Sequence, residues 1–391
     1  MKKIIFVCFV ILSGCALTMQ SHLDNIQKDF ASGKFEISKM DVKKQSNLDL
    51  LINGNALFHA NKFKESDETF EEFNKRNLSE TSSSLTRETT GLLFGQSVNS
   101  YKPYMMDSLF VSYYQIWDLL ALQDWANARV VINQSYERQK NMSVEYQKLI
   151  EKNKKIIAEK KEYKEILDKN SGDWLAFSDI MNPALMYLSG IYFLNDGDFD
   201  NAITYLKRAN GMMPDNDFIK QDLNLALSHK KPIGIDWEFI ETGFAPRLHE
   251  RHSDIFLPSI GVIYFSFSEP VFNKNVQFPK NSQLLANVDA MFMTEYNEYR
   301  INEMLRSYTN AVSKTALQAT AYNSNNKNSL GFGLLSSVYS VASSNADVRT
   351  WATLPQYIYV KRNENKNSKT NNLIYTRQNG TITDNKTIKL K

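Results

Sequence analysis

Residues 186–216 constrain the fold of this chain more than any other segment. Small and apolar residues recur there at the spacing of two amphipathic helices, with Gly197 suited to the turn between them and Pro214 suited to end the second helix. The small residues Gly190 and Ala202 would let the two helices cross closely. The other positions of the pattern are Phe193, Phe199, Leu206 and Ala209. Because one helical pair cannot bury its apolar face alone, the pattern predicts further pairs beside it.

A second, weaker copy of this pattern covers residues 50–77. Gly54 supplies the early glycine, and Phe63 supplies the aromatic residue that follows the turn. Ser66 replaces the usual alanine, and no proline follows the second helix. This copy alone is a weak prediction of a helical pair, and it gains weight only together with the other copies of the pattern.

A third copy covers residues 112–139, where Trp125 and Ala128 give the aromatic and the small residue at the same offset. The three copies resemble tetratricopeptide repeats. This resemblance implies a TPR-like array of stacked helical hairpins over residues 48–230. The alternative is a set of unrelated amphipathic helices.

Residues 136–169 mix Glu and Lys at helical spacing and have few apolar positions. The pattern predicts one long exposed helix or a short hairpin. A solvated face is the favoured interpretation, and a binding patch is the alternative.

The N-terminus combines four features that are typical of an export signal. Met1-Lys2-Lys3 is positive, residues 4–12 are apolar but shorter than the roughly 20 residues that span a bilayer, and small residues precede Cys15. The stretch Leu12-Ser13-Gly14-Cys15 resembles the lipobox of bacterial lipoproteins. The resemblance implies a signal peptide over residues 1–14, lipid on Cys15, and a lipidated tether with an early helix over residues 15–47. The alternative is an ordinary secretory signal with an incidental cysteine.

Residue 16 is Ala rather than Asp. Under the enterobacterial sorting rule that the lipobox resemblance implies, Ala16 favours the outer membrane, with the protein facing the periplasm, while inner-membrane anchoring stays open. No later apolar run is long enough for a membrane-spanning helix.

Composition limits the chemistry of the mature chain. Cys8 and Cys15 are the only cysteines, so the body after Cys15 has no disulfide and no cysteine metal site. The net charge of the whole chain is +3, from 46 basic and 43 acidic residues, and removal of Lys2 and Lys3 leaves +1. This balance does not suggest a nucleic-acid partner.

The sequence changes character near residue 231. Residues 262–267 are β-branched and aromatic and predict a buried strand, and residues 281–322 have a helical apolar period. Residues 357–360 predict another strand, and weak strands follow around a turn at Asn379-Gly380. A turn near Gly331 and a short helix over residues 334–343 are predicted between them. The expected fold is mainly α, with a helical array followed by a small α+β domain over residues 231–391.

A run near the C-terminal end resembles a signature of uncharacterised bacterial lipoproteins that carry tetratricopeptide-like repeats. Its residues are Asp347, Arg349, Trp351, Leu354 and Pro355. The resemblance implies a non-catalytic envelope protein and an association with cell-envelope assembly. From the residues alone, we interpret the run as a structural clasp between a helix and a strand, and binding of a ligand such as a glycan is the alternative.

The sequence offers few groups for catalysis. His249 and His252 are close together, but their spacing is not that of the zinc-protease motif, and the flanking prolines favour a loop. Glu238 and Glu241 form a carboxylate pair of the kind that could in principle hydrolyse glycosides. We interpret both residues as solvated. No catalytic residue, metal or cofactor is predicted.

Two hypotheses for function follow. In the first, the protein is a lipid-anchored scaffold whose repeat groove binds an envelope protein. In the second, it is a peptidoglycan-binding or wall-modifying protein that acts through the C-terminal domain.

Overall fold

The computed structural model describes residues 14–80, 101–159, 161–170, 176–177, 179–257, 261–274, 278–323, 346–365, 367–379 and 382–390. The signal before Gly14, and the turn and short helix predicted at residues 330–343, lie outside these ranges.

Most helices precede the strands along the chain. The helices are α1 Gly14–Ala31, α2 Asn47–His59, α3 Phe63–Glu80, α4 Met105–Ala121, α5 Trp125–Glu159, α6 Lys161–Lys169, α7 Pro183–Asp196, α8 Phe199–Met212, α9 Asp217–Leu227 and α10 Val288–Asn323. The strands are β1 Ile235–Thr242, β2 Arg247–Leu257, β3 Gly261–Val271, β4 Gln283–Asn287, β5 Tyr357–Glu364, β6 Asn372–Asn379 and β7 Ile382–Lys389. Helices make up 58% of the structure, so the chain is mainly α with a C-terminal α+β part, as predicted.

Three helical hairpins, α2–α3, α4–α5 and α7–α8, have the same turn. An aromatic residue begins each second helix, at Phe63, Trp125 and Phe199. Two residues earlier, each turn has a positive φ, at Asn61, Gln123 and Gly197. In each hairpin the residue before the aromatic donates its N–H to a carbonyl five residues back, at 2.8–3.0 Å, which closes the first helix.

The helices of two hairpins cross at the glycines that the sequence singled out. A Cβ on Gly54 would lie 2.6 Å from the ring of Phe70, and a Cβ on Gly190 would lie 2.7 Å from Leu206. Ser66, Ala128 and Ala202, each three residues into the second helix, are fully buried. Ser66 also donates its hydroxyl to the Gly54 carbonyl at 3.0 Å. Small residues are therefore required where the helices touch.

The main sheet has the strand order β4-β5-β1-β6-β7. The central strand β1 pairs antiparallel with β5 and parallel with β6, and β4 and β7 form the edges. Phe239 on β1 lies opposite Val360 on β5 and Tyr375 on β6, so buried side chains form a row across the sheet.

This sheet packs against the inner face of the hairpins. The ring of Trp117 on α4 lies 5.4 Å from Phe239 and 5.5 Å from Tyr375, and Phe58 on α2 lies 4.9 Å from Tyr375. Tyr187 on α7 meets Phe239 at 5.8 Å. The helices and the sheet therefore share one hydrophobic core.

The sheet occupies the face that a stacked array of hairpins would leave open as a groove. In a stacked array, the first helices of the hairpins line the concave face, which here is the face of α2, α4 and α7. The chain's own sheet covers that face, and α4 is buried over almost its whole length.

Residues 15–47, predicted to be a tether with an early helix, pack on the body. Cys15 lies in the first turn of α1. Further along that helix, Leu23 and Phe30 are buried in the body, and Gln27 donates to the Ala352 carbonyl at 2.8 Å. The helix is therefore docked, because burial of these apolar side chains favours it.

A second, smaller core lies where β2 and β3 form a separate two-stranded ribbon. The inner face of the ribbon packs on α6 and on the middle of α10. Residues 262–265 alternate, with Ile263 and Phe265 buried and Val262 and Tyr264 exposed, whereas Ser266 and Phe267 are both buried, so the predicted strand is buried on one face at its start and on both faces further along. The charged segment over residues 136–169 forms the end of the long helix α5 and then α6.

Candidate functional site

Strand geometry separates the two residue pairs that were weighed for catalysis or metal binding. Glu238 and Glu241 lie three apart on β1, and His249 and His252 lie three apart on β2, so each pair points to opposite faces. The loop expected for the two histidines is thus a strand. Glu241 is fully buried, which makes the interpretation of this residue as solvated wrong. Neither pair can act on one substrate atom or hold one metal ion.

Glu241 is the centre of a buried charge cluster between the sheet and the helices. Its carboxylate accepts from Arg377 Nη1 at 2.6 Å, from Tyr375 Oη at 2.8 Å and from Tyr114 Oη at 3.1 Å. Burial raises the pKa of Glu241, and the guanidinium of Arg377 opposes that rise. Arg377 also donates to the carbonyls of Gly243 and Thr353, so it joins β1, the segment that follows it and the segment before β5.

The cluster extends to β7. His59 on α2 is buried, and its Nδ1 lies 3.1 Å from the Asp384 carboxylate, to which Lys386 donates at 2.6 Å. Burial lowers the pKa of His59 to about 4, which keeps the imidazole neutral at pH 7. The neutral ring then donates Nδ1–H to Asp384. Burial also lowers the pKa of Lys386, and the bond to Asp384 opposes that effect.

A similar paired cluster surrounds Asp222 on α9. One oxygen accepts from Tyr187 Oη at 2.6 Å and from Trp237 Nε1 at 2.7 Å, and the other accepts from Arg362 Nε at 2.8 Å. Asp222 is fully buried, so these bonds join α7, α9, β1 and β5 in the interior.

A different arrangement occurs at the N-terminus of α4. Glu295 on α10 accepts from the backbone N–H groups of Met105 and Met106 at 2.7 and 3.2 Å. Asp107 accepts from Tyr101 Oη at 2.7 Å and from the Tyr104 N–H at 2.9 Å. We call these two carboxyls, Asp107 and Glu295, the acid junction. Burial raises the pKa of Glu295 to about 8 and that of Asp107 to about 7.

The signature residues lie next to the acid junction and in the core. Arg349 binds Asp347 through Nε at 2.7 Å and Nη2 at 2.6 Å. Trp351 is buried between the rings of Phe70 and Tyr114, each 6.0 Å away. Leu354 and Pro355 are also buried, and the Leu354 carbonyl accepts from Ala245 N–H at 2.9 Å. The signature segment thus joins the hairpins to the end of β1.

Three aromatic rings meet on the side of the sheet away from the helices. Phe278 is 73% exposed, and its ring lies 6.4 Å from Tyr357 and 6.0 Å from Tyr359 on β5. Beside them, Glu238 accepts from Thr376 and pairs with Lys361 at 3.4 Å. We call the three rings the outer aromatic group. Phe278 offers flat apolar surface for stacking, whereas Tyr359 is only 6% exposed, and the paired charges leave that surface close to neutral.

The described ranges contain no group of three or more His, Cys, Asp or Glu side chains placed to hold a metal ion. They also contain no helix that is long and apolar enough to cross a membrane.

Comparison with protein-family models, with curated proteins and with solved structures gives no match to this chain.

The sequence contains a signal for the burial of Glu241. It is obscured because the chain has 43 acidic residues, most types of which are solvated in folded proteins. Trp237, Phe239 and Glu241 alternate along β1, so all three point to the same face. A carboxylate in register with two large apolar residues indicates burial, and burial of a carboxylate calls for a cationic partner. Tyr375 and Arg377 repeat that alternation on β6.

Proposed function

We propose that this protein is a lipid-anchored envelope lipoprotein with TPR-like hairpins, and that it is a non-catalytic scaffold for another envelope protein. The observation that carries this proposal is the position of Cys15 in the first turn of α1, whose Leu23 and Phe30 are buried in the body. A lipid on Cys15 would hold the whole folded body at the bilayer surface. A partner recruited to such a body is held close to the membrane.

The outer helices of the hairpins are not covered by the sheet, and their exposed surface supports the scaffold role. Because the sheet covers α2, α4 and α7, the partner surface belongs to the outer helices. On α5, Val130 and Val144 are exposed apolar side chains fourteen residues apart. At 3.6 residues per turn they lie about four turns apart on one side of the helix. We assign the partner surface to this side of α5.

The anchor is tested by metabolic labelling with a palmitate analogue. We expect the full-length chain to be labelled and the Cys15→Ser variant to lose the label and leave the membrane fraction. Cys8→Ser is the matched control, because Cys8 lies in the segment that is removed, and it should keep the label. Labelling of Cys15→Ser would overturn the anchor. Density-gradient separation of the membranes then distinguishes the proposed outer-membrane location from the inner membrane.

The partner surface is tested by cross-linking in intact cells, followed by recovery of the tagged chain. Deletion of the repeats is unsuitable, because Phe58 and Trp117 form part of the core of the sheet. The variant is instead Val130→Asp with Val144→Asp. Its matched control is Leu227→Asp with Ile233→Asp, two exposed apolar residues outside α5. We expect one reproducible envelope partner that the first variant loses and the control keeps. Equal recovery with both would contradict the assignment to α5.

The outer aromatic group favours a second candidate function, binding of the cell-wall glycan. Flat rings stack on the apolar faces of sugars, and neutral surroundings suit an uncharged polysaccharide. The test is sedimentation of the mature chain with purified peptidoglycan. Phe278→Ala, which removes the most exposed ring, should reduce the bound fraction, while Phe256→Ala on the ribbon should not. An unsedimented chain together with unchanged wall fragments would remove both wall binding and wall modification.

A further inference from the structure

Helix α1 is held on the body by one face only. Leu23, Gln27 and Phe30 lie at positions i, i+4 and i+7 of the helix and are buried. The opposite face is polar, and its exposed residues are Ser21, His22, Asn25 and Lys28. A segment with so polar an outer face stays soluble when it leaves the body.

Two polar contacts join the buried face to elements far along the chain. Gln27 donates to the carbonyl of Ala352, in the signature segment, at 2.8 Å. Asp24 pairs with Arg247 at the start of β2, and both side chains are partly exposed to water. Because water can replace both contacts, they contribute less to the docking of α1 than the buried apolar side chains do.

The helix ends at a glycine that can act as a hinge. Gly33 has a φ of 72°, and the N–H of Lys34 donates to the Asp29 carbonyl at 2.8 Å, which closes the helix. Glycine adopts this backbone conformation without strain and also changes it most freely. Rotation at Gly33 therefore moves α1 without moving the chain that follows.

The chain after the hinge is fixed by contacts of its own, and we call residues 35–45 the root. The ring of Phe35 stacks on His59 of α2, with 5.3 Å between the ring centres. Arg76 on α3 donates to two carbonyls of the root, at 2.5 and 2.9 Å. These contacts do not involve α1, so the root can stay in place when α1 leaves.

The docking of α1 is weak beside the packing of the central strand β1. That strand is bonded to a neighbour on each side, and its Trp237 and Phe239 lie in the main core. From α1, Leu23 enters this core fully, and Met19 and Ile26 enter it in part. Elements with few buried apolar contacts open locally, before the whole protein unfolds. A single helix of this length is marginal in water, so the segment extends once it is free.

We propose that α1 is a strap that lifts from the body at Gly33 while the root stays in place, and that lifting lets the body move away from the bilayer. When α1 is docked, Cys15 lies eight residues before Leu23, which is about 12 Å along a helix. When α1 is lifted, residues 15–33 can reach up to about 65 Å as extended chain. The change of distance rests on the proposed lipid on Cys15, whereas the lifting itself does not.

The first test is hydrogen exchange of the mature chain from residue 15 with Cys15→Ser, followed by mass spectrometry. We expect the amides of α1 to exchange at least about tenfold faster than those of β1. Low concentrations of urea should leave the rate in α1 unchanged, because lifting exposes little surface. Equal rates in α1 and β1 would overturn the strap.

A cross-link separates lifting from fraying of a docked helix. In the same chain, Asp24→Cys with Arg247→Cys places two thiols where the ion pair lies. No other thiol is left, since Cys8 belongs to the removed segment and Cys15 is changed. Joining the two thiols with a short bifunctional maleimide should slow the exchange of α1 towards the rate of β1. Unchanged exchange after cross-linking would mean fraying and would overturn the proposal.

Three variants show what opens α1. Leu23→Ala should speed the exchange of α1 about hundredfold, because the docked state loses a buried side chain. Lys28→Ala, at an exposed position of the same helix, is the matched control and should keep the original rate. Ile132→Val, at a buried position of α5, should speed the exchange of β1 and leave that of α1 unchanged. Equal acceleration of α1 and β1 by Ile132→Val would show that α1 opens only when the whole protein unfolds, and the strap would be overturned.

The change of distance is tested on vesicles that carry the lipidated chain with a fluorescent tag after Lys391. Energy transfer from the tag to a dye in the bilayer should be stronger when the cross-link holds α1 than before cross-linking. Equal transfer would overturn the role of the strap in setting the distance. A chain without lipid on Cys15 would not join the vesicles, which would show failure of the proposed anchor, while hydrogen exchange of the soluble chain still measures lifting.

Discussion

The Glu241 cluster and the acid junction each place a buried carboxyl group against α4, but the two carboxyl groups have different partners. Glu241 meets the full positive charge of Arg377 and two tyrosine hydroxyls. Glu295 meets two backbone N–H groups at a helix N-terminus, where the helix dipole supplies only about half a charge. Burial opposes ionisation at both places.

The difference teaches what a full cationic partner does for a buried carboxyl. The guanidinium of Arg377 offsets part of the pKa rise that burial causes at Glu241. At Glu295, burial raises the pKa most. The N–H groups of Met105 and Met106 lower it, the nearby Asp107 raises it, and the Lys102 ammonium lowers it least, so the pKa is about 8. Glu241 therefore has a full cationic partner, whereas at neutral pH Glu295 is largely protonated and Asp107 is about half protonated.

The largest expected effect is that of Arg377→Met, which breaks the comparison by removing the cation from Glu241. A buried carboxylate without its partner costs about 3–5 kcal/mol in the free energy of unfolding. The loss is read from the midpoint of urea unfolding. The variant should also become less stable as pH rises, because the pKa of Glu241 rises further without Arg377.

The control for Arg377→Met is the double variant with Glu241→Gln. Removing both charges should restore most of the lost stability, since the penalty arises from the unpaired carboxylate. A double variant that is as unstable as Arg377→Met would show that packing around Arg377, rather than its charge, holds β1 and β6 to the helices.

The acid junction predicts that stability falls between pH 6.5 and pH 8. The folded pKa values, about 8 for Glu295 and about 7 for Asp107, lie above the usual values near 4. The folded state then binds more protons than the unfolded state, so the stabilisation is complete below about pH 4 and is lost as pH rises through 7 and 8. The expected loss is on the order of 2 kcal/mol. His59, whose pKa is lowered from 6.5 to about 4, acts mainly below this window and in the opposite direction, because the unfolded state binds its proton more tightly.

Glu295→Gln sharpens this prediction, because an amide imitates the protonated acid. The variant should show a flatter dependence of the urea midpoint on pH between 6.5 and 8. Glu137→Gln, at an exposed position on α5, is the matched control and should keep the original slope. An unchanged slope in Glu295→Gln would mean that other groups bind the protons.

Asp222→Asn should have an intermediate effect, about 1–3 kcal/mol, because the cluster loses its charge but not its shape. The oxygen of the amide still accepts one bond, while its NH2 group must face a donor, either Arg362 Nε or one of Tyr187 Oη and Trp237 Nε1. Thermal unfolding beside Asp215→Asn, an exposed neighbour, measures the difference. A loss as small as that of Asp215→Asn would imply that Arg362 is satisfied by Glu364 alone.

The local parts of this structure could be predicted from the sequence, and the contacts distant along the chain could not. Gly190, Phe199 and Ala202 predicted the α7–α8 hairpin, because helix crossing and turn geometry depend on residues that are close along the chain. The partnership of Glu241 with Arg377 joins residues 136 positions apart, and a sequence pattern does not specify strand order. For the same reason, the covering of the inner hairpin face by the sheet was not predicted, since the apolar residues of α4 suit either a partner or the chain's own strands.

The smallest expected effect is that of Arg251→Gln, which extends the comparison to the surface. Arg251 binds Glu269 across the ribbon through Nη1 at 2.6 Å, a distance equal to that between Arg377 and Glu241. Because water surrounds Arg251, the pair is screened, and its loss should change the free energy of unfolding by less than about 1 kcal/mol. Equal geometry would then give unequal stabilisation, and burial would be the cause. A loss for Arg251→Gln comparable to that for Arg377→Met would instead show that the ribbon depends on this pair, and the contrast between interior and surface charges would not hold.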